Sequence, residues 1–208
     1  MKLNRRLDLL AMLLGCGAAA IGGIGVVAYA LGLPVWLRPS PEATPIVLGA
    51  ALALQVVGAA IMVTALPPTR VTGHVAGILG GAVAAIGIIA LAQHAFALDL
   101  GLDAVALHAA LGQGGEHPGR IVPAMAVCLV VLGAGVVALQ FVQSRRAAIV
   151  MVIGATVVGA FGAIALAGYL LDVEFMLGWL GDAPVPPLAS TGLALSGAGL
   201  CSAVVHHA

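Results

Sequence analysis

Long runs of apolar residues, separated by short polar connections, make up most of the chain. Six of these runs extend over 18 to 25 residues, and none alternates polar with apolar positions as a membrane β-strand does. A helix needs roughly 20 residues to cross a hydrocarbon layer of about 30 Å, so the pattern predicts six transmembrane helices. The predicted spans are residues 9–31, 45–66, 74–98, 121–141, 147–171 and 188–205.

Composition narrows the class of protein further. Of the 208 residues, 62% are hydrophobic and only 8% are charged, and the mean hydropathy is +1.18. So few charges exclude an ordinary soluble domain. The net charge of zero also argues against nucleic-acid binding. We therefore predict an all-α polytopic membrane protein, a single domain over residues 1–208, whose main partner is the lipid bilayer.

The distribution of basic residues predicts the orientation. The N-terminus and the two short connections carry six Lys or Arg residues and one acid, whereas the three longer connections carry two Arg residues and seven acids. By the positive-inside rule both termini face the cytoplasm, which fits a bacterial inner membrane protein. A cleaved signal peptide is the alternative for the first span. Apolar sequence continues for fifteen residues beyond Cys16, longer than such a peptide allows, so we expect a retained helix.

The chain also contains an internal repeat of three helical hairpins, at about residues 9–66, 74–141 and 147–205. The first helix of each hairpin ends in a related sequence: Tyr29-Ala-Leu-Gly-Leu33, Phe96-Ala-Leu-Asp-Leu100 and Tyr169-Leu-Leu-Asp-Val173. The aromatic residues are 67 and then 73 positions apart. In the second helices, Pro123 and Pro187 precede similarly spaced glycines, so these prolines are expected to be equivalent.

Two stretches of the second hairpin resemble a known family. They are Leu98-Asp-Leu-Gly-Leu-Asp103 and His117-Pro-Gly-Arg-Ile-Val-Pro-Ala-Met-Ala126. They resemble the Asp-Leu-Gly-Ile-Asp and Pro-Gly-Arg-Met-x-Pro-Asn-Thr-Ala stretches in the N-terminal membrane sensor regions of bacterial sensor histidine kinases and diguanylate cyclases. Ala124 and Met125 stand where that family has Asn-Thr.

The resemblance implies a non-catalytic sensory module of a two-component or related signal-transduction system. It would couple an outer or intramembrane stimulus to a cytoplasmic effector domain following the last helix. A small transporter or an accessory subunit of a membrane complex is the alternative. No phosphate loop, nucleophile triad or deep carboxylate pair occurs in the sequence, so we do not expect an enzyme.

Polar and aromatic residues gather at the outer ends of spans three to six, where we place a candidate ligand site. Arg120 is expected to pair with Asp99 or Asp172, either as a structural contact or as a ligand clamp. Interfacial anchoring explains the aromatic residues equally well. The candidate ligand-binding residues are His94, Phe96, Asp99, Arg120, Tyr169, Asp172 and Trp179.

No cofactor or metal is predicted. A haem bound by two histidines would need a partner for His94 at similar depth, but His74 is 20 residues away, about 30 Å along a helix. The acids and histidines between Asp99 and Arg120 match no zinc or calcium spacing.

Small residues at four-residue spacing predict close helix packing, either within the chain or between the copies of a homodimer. On this basis, replacing Gly81 by Leu is expected to disturb assembly. The small residues are Gly77, Gly81 and Ala85 in the third span, and Ala155, Gly159 and Ala163 in the fifth.

Overall fold

The computed structural model describes residues 2–38, 40, 43–98, 103, 105–111, 119–141, 144–173 and 184–207. In these residues all regular secondary structure is helical. A single 3-10 turn, Pro34–Leu37, follows the first helix. The seven α-helices are α1 (Lys2–Leu31), α2 (Leu48–Thr64), α3 (Arg70–Ala95), α4 (Val105–Ala110), α5 (Pro123–Leu139), α6 (Arg145–Leu171) and α7 (Pro187–His207).

The all-helical prediction is confirmed, but the number of spans differs from the predicted six. Among the described residues, four helices (α1, α3, α6 and α7) are long and apolar enough to cross a membrane. The second and fourth predicted spans form α2 and α5, which have only 17 residues each, or about 26 Å. They are shorter because the chain enters each of them through extended residues, Val47 before α2 and Val122 before α5.

The six helices other than the short α4 pair as three antiparallel hairpins, α1 with α2, α3 with α5 and α6 with α7. Each first helix also packs against the second helix of the preceding hairpin. Thus α3 contacts α2, α6 contacts α5, and α1 contacts α7. Because the last pair joins the two ends of the chain, the hairpins close into a ring with approximate threefold symmetry.

The second helices occupy the middle of the ring. Helices α2, α5 and α7 contact one another, and nine of the 17 residues are buried in both α2 and α5. In α3 and α6, by contrast, only six residues of 26 and 27 are buried. The long first helices therefore form an outer layer that presents apolar side chains to the surroundings, as a bilayer requires.

Glycines bring the two helices of each hairpin into backbone contact at two levels. A Cβ on the first-helix glycine would collide with a backbone carbonyl of the second helix, and a Cβ on the second-helix glycine would collide with one of the first. The equivalent pairs are Gly22 and Gly58, Gly87 and Gly133, and Gly162 and Gly197. In every hairpin the two contact levels are seven residues, or two helical turns, apart.

The first helices also end alike. Gly32, Ala97 and Asp172 all adopt a left-handed conformation, with φ of 65°, 49° and 55°. In each case the next residue's N–H bonds to a carbonyl five positions back, which is the Schellman arrangement for ending a helix. Three helices thus stop at equivalent residues although only the first has glycine there.

This register corrects the sequence alignment of the repeat. First-helix positions recur after 65 and then 75 residues, rather than 67 and 73. Tyr29 and Tyr169 are therefore equivalent to His94, and Phe96 lies two residues, about 3 Å, beyond them. Pro123 and Pro187 keep their predicted equivalence, since both occupy the first position of a second helix.

The start of α1 and the end of α7 lie at the same end of the ring. A carboxylate oxygen of Asp8, near the start of α1, lies 2.8 Å from Nδ1 of His206, near the end of α7. We call this end the terminal end. The opposite end, where the first helices finish and the second helices begin, is the distal end.

The two predicted small-residue stripes have different environments. On α6, Ala155 and Gly159 pack against Gly197 of α7, so these two residues of the stripe are used within the chain, whereas Ala163 is exposed. On α3, nothing lies within 4 Å of a Cβ placed on Gly81. Gly81 is therefore not a packing position within the chain, because the neighbouring Gly80 makes that contact, against Gly133 and Val136 of α5.

Candidate functional site

At the distal end, equivalent polar side chains hold the extended segments that lead into the second helices. The Tyr29 hydroxyl donates to the Ile46 carbonyl at 2.9 Å. Its equivalent, His94, donates from Nε2 to the Ile121 carbonyl at 2.8 Å. The third equivalent, Tyr169, departs from the pattern: its hydroxyl lies beside the Thr44 side chain and forms no hydrogen bond of ordinary geometry with a described residue.

The second hairpin adds a buried ionic network that has no counterpart in the described parts of the other two. Asp103 is 8% exposed, and its carboxylate accepts from Gln93 Nε2 at 3.1 Å. The other carboxylate oxygen lies 3.4 Å from Arg120 Nε, and Arg120 Nη2 donates to the Leu98 carbonyl at 3.0 Å. The aspartate and arginine charges cancel, which reduces the cost of burying both.

His108 anchors the same connection on the first hairpin. Its ring is fully buried and tilted against the Tyr29 ring, with the ring centroids 5.0 Å apart. The Leu48 N–H donates to His108 Nε2 at 3.3 Å. Because Val47 before α2 provides no side-chain cap, His108 satisfies an N–H at the start of α2 from a distant part of the sequence.

Gly119 allows these groups to pack together. It adopts φ of +92°, and a Cβ at this position would meet the Asp103 carbonyl and lie 2.6 Å from His108 Nδ1. Only glycine fits both the backbone conformation and the space. The two stretches that carry the family resemblance are thus joined directly, through Asp103 in the first and Gly119 and Arg120 in the second.

A cavity of about 260 Å³ adjoins the network between α2 and α3. Apolar side chains such as Leu52 and Ile89 line its outer part, and both are partly exposed on the surface of the bundle. Gln93 and Asp103 close its distal end. Both carboxylate oxygens of Asp103 already accept hydrogen bonds within the chain, one from Gln93 Nε2 and the other from Arg120 Nε.

The predicted site residues do not form one cluster. Arg120 belongs to the network, but its partner is Asp103 rather than Asp172, which caps α6 and is exposed. The Phe96 side chain is 73% exposed and lies outside the cavity lining. His94 and Tyr169 occupy equivalent positions in different hairpins. Asp99 and Trp179 lie outside the described residues.

Three residues that the structure brings together at the distal end were not among the predicted ligand-binding residues. They are Gln93 and Asp103 of the ionic network and His108, which contacts Tyr29 and Leu48. A usable signal was present in the resemblance, since Asp103 ends one of its stretches and Arg120 lies in the other. Helical geometry provides another, because Gln93 follows the buried positions Gly87 and Ala90 at spacings of six and three.

No protein-family model matches the sequence, and comparisons with curated proteins and with solved structures give no match.

Proposed function

We propose that the chain is a non-catalytic signal-transducing module of the bacterial inner membrane. The distal network and its cavity receive a stimulus, and the ring of hairpins carries the change to the terminal end. Both termini face the cytoplasm in this proposal, as the basic residues Arg70, Arg145 and Arg146 at the terminal end support. An effector domain joined to α7 would receive the signal there.

The observation that carries the proposal is the Gln93–Asp103–Arg120 network. Buried ionised groups in an apolar bundle are costly and commonly serve a function. The network ties the α3–α5 connection to the α3 helix end, and His108 ties the same connection to α1 and α2. A ligand that occupies the cavity contacts Gln93 and Asp103 at its distal end, so its binding energy can favour a different packing of two hairpins.

The two helices shorter than a span are compatible with a membrane location. Helices α2 and α5 lie towards the middle of the ring, where neighbouring helices bury nine of the 17 residues of each. Extended backbone is tolerated at membrane depth only where protein or water surrounds it, and the Ile46 and Ile121 carbonyls at the entries to α2 and α5 are hydrogen-bonded by Tyr29 and His94.

The proposal is tested by measuring whether the network controls the terminal end. Spin labels at Arg70→Cys and Arg145→Cys, in a chain whose three native cysteines are replaced by alanine, report the distance between the starts of α3 and α6. Asp103→Asn should shift this distance distribution. Asp172→Asn, which changes an exposed distal aspartate in a conformation that asparagine tolerates, should leave it unchanged.

An unchanged distribution in folded Asp103→Asn would contradict coupling. A transporter would instead need a water-filled path through the ring, and the buried Ser196 on α7 offers a probe for it. Labelling of Ser196→Cys in vesicles by a membrane-impermeant thiol reagent would favour transport, whereas protection from the reagent agrees with signal transduction.

A further inference from the structure

Gln55 is a polar residue in the middle of α2 whose side chain is exposed on the surface of the bundle. It lies at least about 10 Å from either end of the helix, counted along its axis. Its amide forms no hydrogen bond with any residue that the structure describes. When the bundle lies in a bilayer, this amide faces hydrocarbon, where its unsatisfied donors and acceptor cost free energy.

The surroundings of Gln55 permit another helix to approach closely. At this level α1 and α2 are in backbone contact, since a Cβ on Gly22 would meet the backbone of Gln55. The Gln55 Nε2 atom lies 3.8 Å from the position of a Cβ on Gly23. The adjoining exposed face of α1 has small residues at helical spacing, Cys16 and Ala20. Small residues beside a polar one are typical of helix association in membranes.

We propose that two copies of this chain associate in the membrane through Gln55. A carboxamide carries both donors and an acceptor, so two copies related by a twofold axis can satisfy each other with two reciprocal N–H···O=C hydrogen bonds. A partner of different chemistry would need its own amide or hydroxyl at the same depth, whereas a second copy supplies the matching group automatically.

This interface differs from the small-residue stripe on α3, which also remains exposed. Gly81 has open space beside it but offers no polar group. The equivalents of Gln55 in the other hairpins are Val130 and Ala194, which carry no polar side chain. The glutamine therefore breaks the threefold symmetry of the ring and selects one face of it for pairing.

The proposal depends on the bilayer location of the bundle but not on its signalling role. The test uses the full chain with a fluorescent self-labelling tag at its C-terminus, diluted in phosphatidylcholine vesicles. Single-molecule photobleaching counts the copies in each particle as the protein-to-lipid ratio is lowered. The native chain should show two bleaching steps over a range of ratios. Gln55→Leu should weaken dimerisation by roughly tenfold, in line with hydrogen bonds measured between membrane helices.

Two further variants make the result decisive. Gln55→Asn keeps the amide and should retain part of the dimer. Gly81→Leu changes the α3 stripe and should leave the dimer intact. A native chain that is monomeric throughout, or equal dimer fractions in the native and Gln55→Leu chains, would overturn the proposal. Loss of the dimer in Gly81→Leu but not in Gln55→Leu would overturn it too, by locating the interface on α3.

Discussion

Halfway along the bundle the three hairpins are alike, whereas at the distal end they differ. In the middle of each hairpin, one glycine on each helix brings the two backbones into contact. The two contact levels are the same in all three hairpins. At the distal end, the second hairpin alone, within the described residues, buries an ion pair and extends a histidine over the first hairpin. The shared middle is explained by the need to pack helices closely. The unshared distal groups are not required for that purpose, so they are the better candidates for function.

The largest effect is expected from the middle of the bundle. Gly133→Leu places a bulky side chain against the Ala84 and Gly80 backbones of α3, and helix separation is the only way to accommodate it. We expect the free energy of unfolding, measured by steric trapping in bilayers, to fall by more than about 3 kcal/mol. Gly81→Leu, at an open position on the facing helix, is the matched control. Equal losses in the two variants would contradict the glycine contacts.

The next largest effect is expected at the ion pair. Asp103→Ala leaves Arg120 buried without its carboxylate, and removing one partner of such a pair costs about 3–5 kcal/mol. Because Arg120 Nε lies 3.4 Å from the Asp103 carboxylate, a long distance for an ion pair, we expect a loss of stability at the low end of this range. The same unfolding assay should show partial recovery when Arg120→Met is added. If the double variant is less stable than Asp103→Ala alone, the ion pair does not explain the loss.

A smaller effect is expected for His108→Ala. It removes the acceptor of the Leu48 N–H and the ring that packs on Tyr29, together worth about 1–3 kcal/mol. Hydrogen exchange should show faster exchange at the start of α2. His108→Phe keeps a ring but loses the acceptor, so it should recover stability without recovering protection of the Leu48 amide. Unchanged exchange in both variants would exclude the capping role.

The smallest expected effect is the difference in stability between variants of two adjacent glycines of α3. Gly81→Ala fills open space and removes a poor helix former, so it should be neutral or stabilising by up to about 1 kcal/mol. Gly80→Ala meets the Gly133 carbonyl and Val136 at 2.9 Å, and should be destabilising by about 1–3 kcal/mol. The difference between these two stabilities is the informative quantity. If Gly81→Ala were the more destabilising of the two variants, the Gly81 face of α3 would pack against α5, which would contradict the structure.

Sequence alone predicted the helical class and the three hairpins, because long apolar runs and recurring turns are local features. It misplaced the register of the first helices by two residues, because aromatic residues recur near helix ends without fixing how the helices pack, whereas the glycines in the helix contacts do fix it. It also gave α2 and α5 too many residues, because Pro45 and Ile121 are apolar yet lie outside the helices. Hydropathy does not distinguish an apolar extended segment from a helix.

The site was less predictable for a different reason. Asp103 and His108 lie in a polar connection, and most charges in such connections are solvated. Their burial depends on the connection folding back onto Tyr29 and α2, which are distant in sequence. The special requirement for Gly119 likewise arises only from its contact with His108. A single sequence contains no record of such long-range contacts.

The packing of α1 against α7 turns the three hairpins into a closed ring. A Cβ on Gly199 would lie 3.3 Å from the Leu14 Cβ, close to the separation found in disulfides. In a chain without native cysteines, Leu14→Cys with Gly199→Cys should form an intramolecular disulfide under mild oxidation in the membrane. Gly81→Cys with Gly199→Cys should not. Failure of the first pair to cross-link in folded protein would contradict the closed ring.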